Sequence, residues 1–90
     1  MPTVAARVVL SNKMGLHARP STQIATTASR FSSDIHIGKD DMVVDAKSVL
    51  ELLMLAAECD TELTITAEGD DAKEAVKAFV EKRQPVFTGK

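Results

Sequence analysis

Tryptophan and tyrosine are absent from this 90-residue chain, and phenylalanine occurs three times. A core of stacked aromatic rings is thereby excluded. Val, Leu, Ile, Met and Ala must fill the interior, and hydrophobic residues make up 44% of the sequence. A single cysteine, Cys59, excludes an internal disulfide and any Cys-rich zinc site. Its neighbours Glu58 and Asp60 disfavour the thiolate, so no reactive role is expected of it. His17 and His36 lack a third ligand at sensible spacing, which argues against a metal site. No basic run appears and the net charge is −2. The electrostatic footprint of a nucleic-acid binder is therefore missing. An RNA-reading sheet would also display aromatics, and Arg7, Thr64 and Thr66 are poor substitutes. The longest apolar run, "LLMLAA", falls far short of the roughly 20 residues needed to span a bilayer. The first residues, "MPTVAARVVLSNK", do not have the form of a secretory signal. These absences lead to an expectation of one domain over residues 1–90, cytoplasmic, with no membrane insertion and no nucleic-acid partner.

Hydrophobic spacing supplies the elements. "TVAARVVLS" alternates, with Val4, Ala6, Val8 and Leu10 on one face and Thr3, Ala5, Arg7 and Val9 on the other. A turn at "NKMG" follows. From Ala18 to about Ser29 the spacing is helical, with Ala18, Thr22, Ala25 and Ser29 in one stripe and Ile24 and Ala28 beside it. Pro20 fits only in the first turn, where its missing N–H has no intrahelical partner to lose. The helix must then begin near His17 or Ala18. "DIHIG" and "MVVDA" read as a hairpin about the turn "KDD", with Ile35 and Ile37 inward and His36 outward. "KSVLELLMLAA" reads as a short helix, and Ser48 followed by Glu51 has the form of a capping box. "TELTITAE" is a strand with Leu63, Ile65 and Ala67 inward. "GDDAKEAVKAFVEKR" is a helix whose apolar stripe is Ala72, Ala75, Val76, Phe79 and Val80. Asp71 and Glu74 mark its start, while Lys82 and Arg83 suit its negative end. The order β-α-β-β-α-β-α predicts an α+β two-layer, open-faced sandwich. Its four-stranded antiparallel sheet would carry three helices on one face.

One short stretch carries chemistry: "MGLHARPSTQIA", residues 14–25. A helix start leaves backbone N–H groups without partners and holds roughly half a positive charge, which suits an anion. Arg19 adds a planar donor fork matched to phosphate oxygens. Imidazole titrates at about 6.5 when unperturbed, so a neutral ring is available near neutral pH as a nucleophile. His17 is then a phosphoryl acceptor beside a ready cradle for the dianion. The plainer reading makes His17 a surface or capping residue.

At this point the chain resembles a known family. "GLHARP" at 15–20 looks like the active-site motif of HPr, the histidine phosphocarrier of the bacterial phosphotransferase system. "DAKSVLELLML" at 45–55 resembles the family's second motif, and "LTITAEGDDAKEAV" at 63–76 its third block. The likeness runs along essentially the whole chain. It implies that Enzyme I phosphorylates Nδ1 of His17, using a phosphoryl group from phosphoenolpyruvate, and that the carrier passes it to a IIA domain. Arg19 takes the place of the arginine that balances phosphate charge. Ala18, Gly15 and Pro20 would shape the cradle, Gly15 allowing a tight approach and Pro20 fixing the helix start. Ser48 falls where an HPr kinase/phosphorylase acts in many relatives, although it reads equally as a plain N-cap. Ala18, Val49, Leu50 and Leu53 would form the docking patch, the alternative being a fully covered core helix. The resemblance implies a monomer without a cofactor, a carrier of phosphoryl groups in a transferase system and not an enzyme turning over by itself.

The chain departs from the family pattern in places. "ELLMLAAECD" lacks the glycines of many members and sits closer to the nitrogen-branch paralogue, while "ITAEGDDAKEAV" resembles the sugar-branch carrier. "QPVFTGK" has no acidic end to meet Arg19. A rival class is a regulatory interaction module of the same fold with no phosphotransfer.

Overall fold

The computed structural model describes residues 2–9, 18–55, 58 and 60–87. Along them run β1 (Thr3–Val9), α1 (Ala18–Ala28), β2 (Asp34–Lys39), β3 (Met42–Asp45), α2 (Val49–Leu55), β4 (Glu62–Glu68) and α3 (Ala72–Phe87). The strands form one sheet in the order β1-β4-β2-β3, and every neighbouring pair is antiparallel. This is the α+β two-layer arrangement, with three helices against one face of the sheet.

Alternation in the strands decides which face is covered. In β4, Leu63, Ile65 and Ala67 are buried while Glu62, Thr64 and Glu68 are exposed. The register lines Ala6, Ile65, Ile37 and Val44 across all four strands in one apolar row. Val4, Ala67 and Ile35 form the row beside it, and Val8 stands opposite Leu63. A slip of one residue in β4 would turn all three inward side chains to solvent. The helices close over these rows with Ile24, Leu52, Leu55, Ala72, Ala75 and Phe79, all almost wholly buried.

Two expectations about helix faces change. Ala18, Thr22 and Ser29 are exposed, whereas Pro20, Ser21, Ile24, Ala25, Thr27 and Ala28 are buried. At 3.6 residues per turn Thr22 lies nearly opposite Ile24, and the largest apolar side chain sets which way the helix faces. The Thr22 hydroxyl bonds the Ala18 carbonyl at 2.8 Å, satisfied within its own turn. In α3, Val80 closes the predicted stripe yet is 41% exposed, because Phe79 and Val76 already fill the space above the sheet. The same helix runs on to Phe87, past the predicted end at Lys82 and Arg83. Lys, Arg and Gln are good helix formers, so nothing at 82–84 compels a stop. Leu10 and Cys59 lie outside the described residues.

Two turns are clasped together at one end of the sheet. The Asp71 carboxylate accepts the N–H groups of Ser32 at 2.8 Å and Ser33 at 2.9 Å, and also the Ser33 hydroxyl. Those bonds, the Ser33 hydroxyl first, hold the Asp71 carboxyl down to about 2 from its ordinary 3.8.

Candidate functional site

Helix α1 opens at Ala18, and its first turn contains Arg19, Pro20 and Ser21. Ala18 and Arg19 are exposed; Pro20 and Ser21 are buried. Pro20 sits third in the helix, where its N–H would be one of the unpartnered first four. No acidic side chain stands in that turn. Arg19 is its one charged group, so the positive end of the helix is left unneutralised by its own sequence. An anion meeting this end would find the amides of the first turn, an arginine fork and no carboxylate from that turn. His17, immediately before the helix, and Gly15 lie outside the described residues. Ser21 was not singled out from sequence. Its hydroxyl is fully buried and has no hydrogen-bond partner among the described residues. Only its position one helical turn after His17 would have drawn attention to it.

Ser48 stands just ahead of α2 and is half-buried. Its hydroxyl accepts the Glu51 N–H at 3.2 Å, and its carbonyl accepts the Leu52 N–H at 3.0 Å. The reciprocal half of a capping box is absent. The Glu51 carboxylate takes the Asp45 N–H at 3.1 Å, while the Ser48 N–H donates to the Asp45 carbonyl at 3.1 Å. The Asp45 side chain in turn accepts the Lys47 N–H at 2.9 Å. Asp45 occupies the position that Glu51 would otherwise reach, so the cap is a three-residue network.

The apolar side chains of α2 divide by face. Leu52 and Leu55 are buried beneath the helix. Val49 is half-buried and packs against the core. Leu50 is 70% exposed, Leu53 38% and Met54 61%. Spacings of three and four residues put these last three on one side. Met54 was overlooked in the sequence, although its distance of four from Leu50 was the available signal. Helix α1 packs alongside α2. The Lys39 ammonium donates to the Leu55 carbonyl at 3.3 Å, closing the far end of α2. Among the described residues no His, Cys, Asp and Glu group is placed to hold a metal ion. No described helix is long and apolar enough to cross a membrane.

Residues 4–82 match the family model described as "PTS HPr component phosphorylation site". The chain is 40% identical to the phosphocarrier protein HPr of Mycoplasma capricolum over 71 residues, covering 79% of this chain and 80% of that one. A crystal structure of HPr from Thermoanaerobacter tengcongensis superposes with a TM-score of 0.87 at 39% identity, covering 93% and 94% of the two chains. The Bacillus subtilis catabolite-repression protein Crh, crystallised as a swapped, intertwined dimer, matches with a TM-score of 0.74 at 38% identity, over 87% and 90%.

Proposed function

Because this chain belongs to the HPr family of phosphotransferase-system phosphocarriers, we propose that His17 accepts a phosphoryl group from Enzyme I and yields it to a IIA domain. The observation that carries the reading is the start of α1 one residue after His17, with Arg19 exposed and no carboxylate in the first turn. The N–P bond forms at Nδ1 of His17 as the donor's bond to phosphorus breaks. The new dianion then lies near the amides of Ala18 and Arg19 and within the field of the Arg19 guanidinium. Pro20 contributes no amide but fixes the backbone there. Gly15 belongs to the motif that this reading assigns to the phosphoryl site. Ala18 and Arg19 are exposed, so the helix start is open to a second partner that takes the phosphoryl group on. Leu50 and Leu53, with Ala18 and the rim of Val49, form the docking patch in this reading, and Met54 extends it. In this proposal the protein works in the cytoplasm as a monomer without a cofactor, in the sugar branch or as its nitrogen-branch paralogue.

Ser48 is the regulatory site in this proposal, acted on by an HPr kinase/phosphorylase. A phosphoserine there adds about two negative charges to the docking face without requiring α2 to unfold. The likeness to Crh favours a second reading, a regulatory partner-binding module that carries no phosphoryl group on His17.

One experiment separates them. Incubation with phosphoenolpyruvate and Enzyme I should add one acid-labile phosphoryl group, seen by intact mass at alkaline pH, and His17→Ala should abolish it. No gain in the wild type, or an equal gain in the variant, refutes the carrier reading.

A further inference from the structure

Helix α1 turns Ser21, Ile24, Ala25 and Ala28 to the interior, a spacing that makes one face. Three of the four are hydrocarbon. Ser21 is the exception, and it stands at the N-terminal end of that face. It is fully buried, and its hydroxyl has no hydrogen-bond partner among the described residues. Buried hydroxyls are seldom left so, because burial strips their water and an absent bond returns nothing. A bond made in a second state of the molecule resolves this.

Helix geometry names the acceptor. Side chains lean back toward the helix N-terminus, so a serine or threonine hydroxyl reaches the carbonyl four residues earlier. Thr22 does this, donating to the Ala18 carbonyl at 2.8 Å. That carbonyl also takes the helical N–H of Thr22, which fills both its lone pairs. Counting four back from Ser21 reaches the carbonyl of residue 17. One rotation about χ1 separates an unpartnered hydroxyl from such a bond. A trans peptide sets its C=O and its N–H on opposite sides. At a helix start, the peptide joining residues 17 and 18 offers the Ala18 N–H to an outside anion and its carbonyl to the turn below.

We infer that Ser21 is a positioning residue for phosphoryl transfer: its hydroxyl turns to the His17 carbonyl when the Ala18 N–H, on the far side of the same peptide, takes a phosphoryl oxygen. A dianion on the N–H makes the carbonyl a better acceptor, and a donor on the carbonyl makes the N–H a better donor. The two bonds therefore reinforce each other. Ser21 touches neither the ring nor the phosphoryl group. It favours the phosphorylated state because its bond is made there and not before. The inference rests on the carrier reading of His17 and gives the buried side of α1 a part in it.

An equilibrium, which docking rates cannot alter, tests this. The full chain is mixed with phosphorylated Enzyme I, and the phosphorylated fraction of each protein is read by intact mass at alkaline pH. Ser21→Ala should shift the constant about fivefold toward phosphorylated Enzyme I, the scale of one neutral hydrogen bond. Its urea midpoint should be no lower than that of the wild type, since an unpartnered hydroxyl contributes nothing to the unphosphorylated fold. In ¹⁵N spectra, the downfield shift of the Ala18 amide proton on phosphorylation should shrink in the same variant. Thr22→Val, which removes a hydroxyl already bonded, should leave the constant unchanged. A wild-type constant with an undiminished Ala18 shift in Ser21→Ala overturns the inference and leaves His17 as the acceptor. An equal displacement in Thr22→Val overturns it too. No phosphoryl gain in the wild type defeats the carrier reading, and this inference with it.

Discussion

A Cβ added to Gly69 would stand 2.6 Å from the hydroxyl oxygen of Ser33 and 2.9 Å from its Cα. Gly69 also has a φ of 147°, which side chains rarely adopt. Space and backbone thus make the same demand at the junction of the 31–33 and 69–71 turns. Gly69→Ala should destabilise the fold by about 1–3 kcal/mol. Urea denaturation is the check, with a lower midpoint and an unchanged slope.

Asp71 locks the same junction electrostatically. Its carboxyl titrates at about 2 in the folded chain against 3.8 ordinarily, so folding favours the ionised form. The stability it contributes is complete above 3.8 and is lost as pH falls toward about 2. Asp71→Asn should remove that part of the acid dependence, seen as a shallower fall of the urea midpoint across this window.

Packing predicts a contrast between neighbours in α3. Phe79 is fully buried and Val80 is 41% exposed. Phe79→Ala should cost about 3–5 kcal/mol by opening a cavity, whereas Val80→Ala should cost under about 1 kcal/mol. Thermal or urea unfolding of both variants tests the two values together.

If the exposed side of α2 is the docking patch proposed above, its two faces separate stability from docking. Leu50→Ser and Met54→Ser should leave the urea midpoint almost unmoved and slow phosphoryl acceptance from Enzyme I about tenfold. Leu52→Ala, on the buried face, should instead lower stability by about 2–5 kcal/mol. Stopped-quench transfer kinetics beside denaturation curves distinguish these outcomes.

Ser48→Ala should lose about 1 kcal/mol through the missing cap, and Ser48→Asp should retain most of it, because aspartate also accepts the Glu51 N–H. Denaturation of the two variants measures the difference.

Much of this was legible in the residues themselves. Strand faces follow from period-two spacing, and the buried row through Ile65 and Ile37 needed nothing more. The start of α1 followed from Pro20, which tolerates few other places in a helix. The facing of α1 was harder. Small residues on several sides, Ala18, Thr22, Ala25 and Ser29 among them, compete as an apolar stripe, and only packing against α2 and α3 selects the side around Ile24. The exchange of partners at Ser48 was hidden because it depends on where β3 delivers Asp45.

The strand order has a consequence for biosynthesis. Thr3 is paired in the sheet opposite Glu68, so β1 waits for β4, the last of the four described strands. A ribosome must release the chain through Glu68 before β1 gains its full neighbour. Until then the N-terminal segment travels as an unpaired ribbon, open to capture by chaperones or by another nascent copy. Closure of the molecule is therefore a late, long-range event, and a chain cut short before Glu62 leaves β1 with no strand to join.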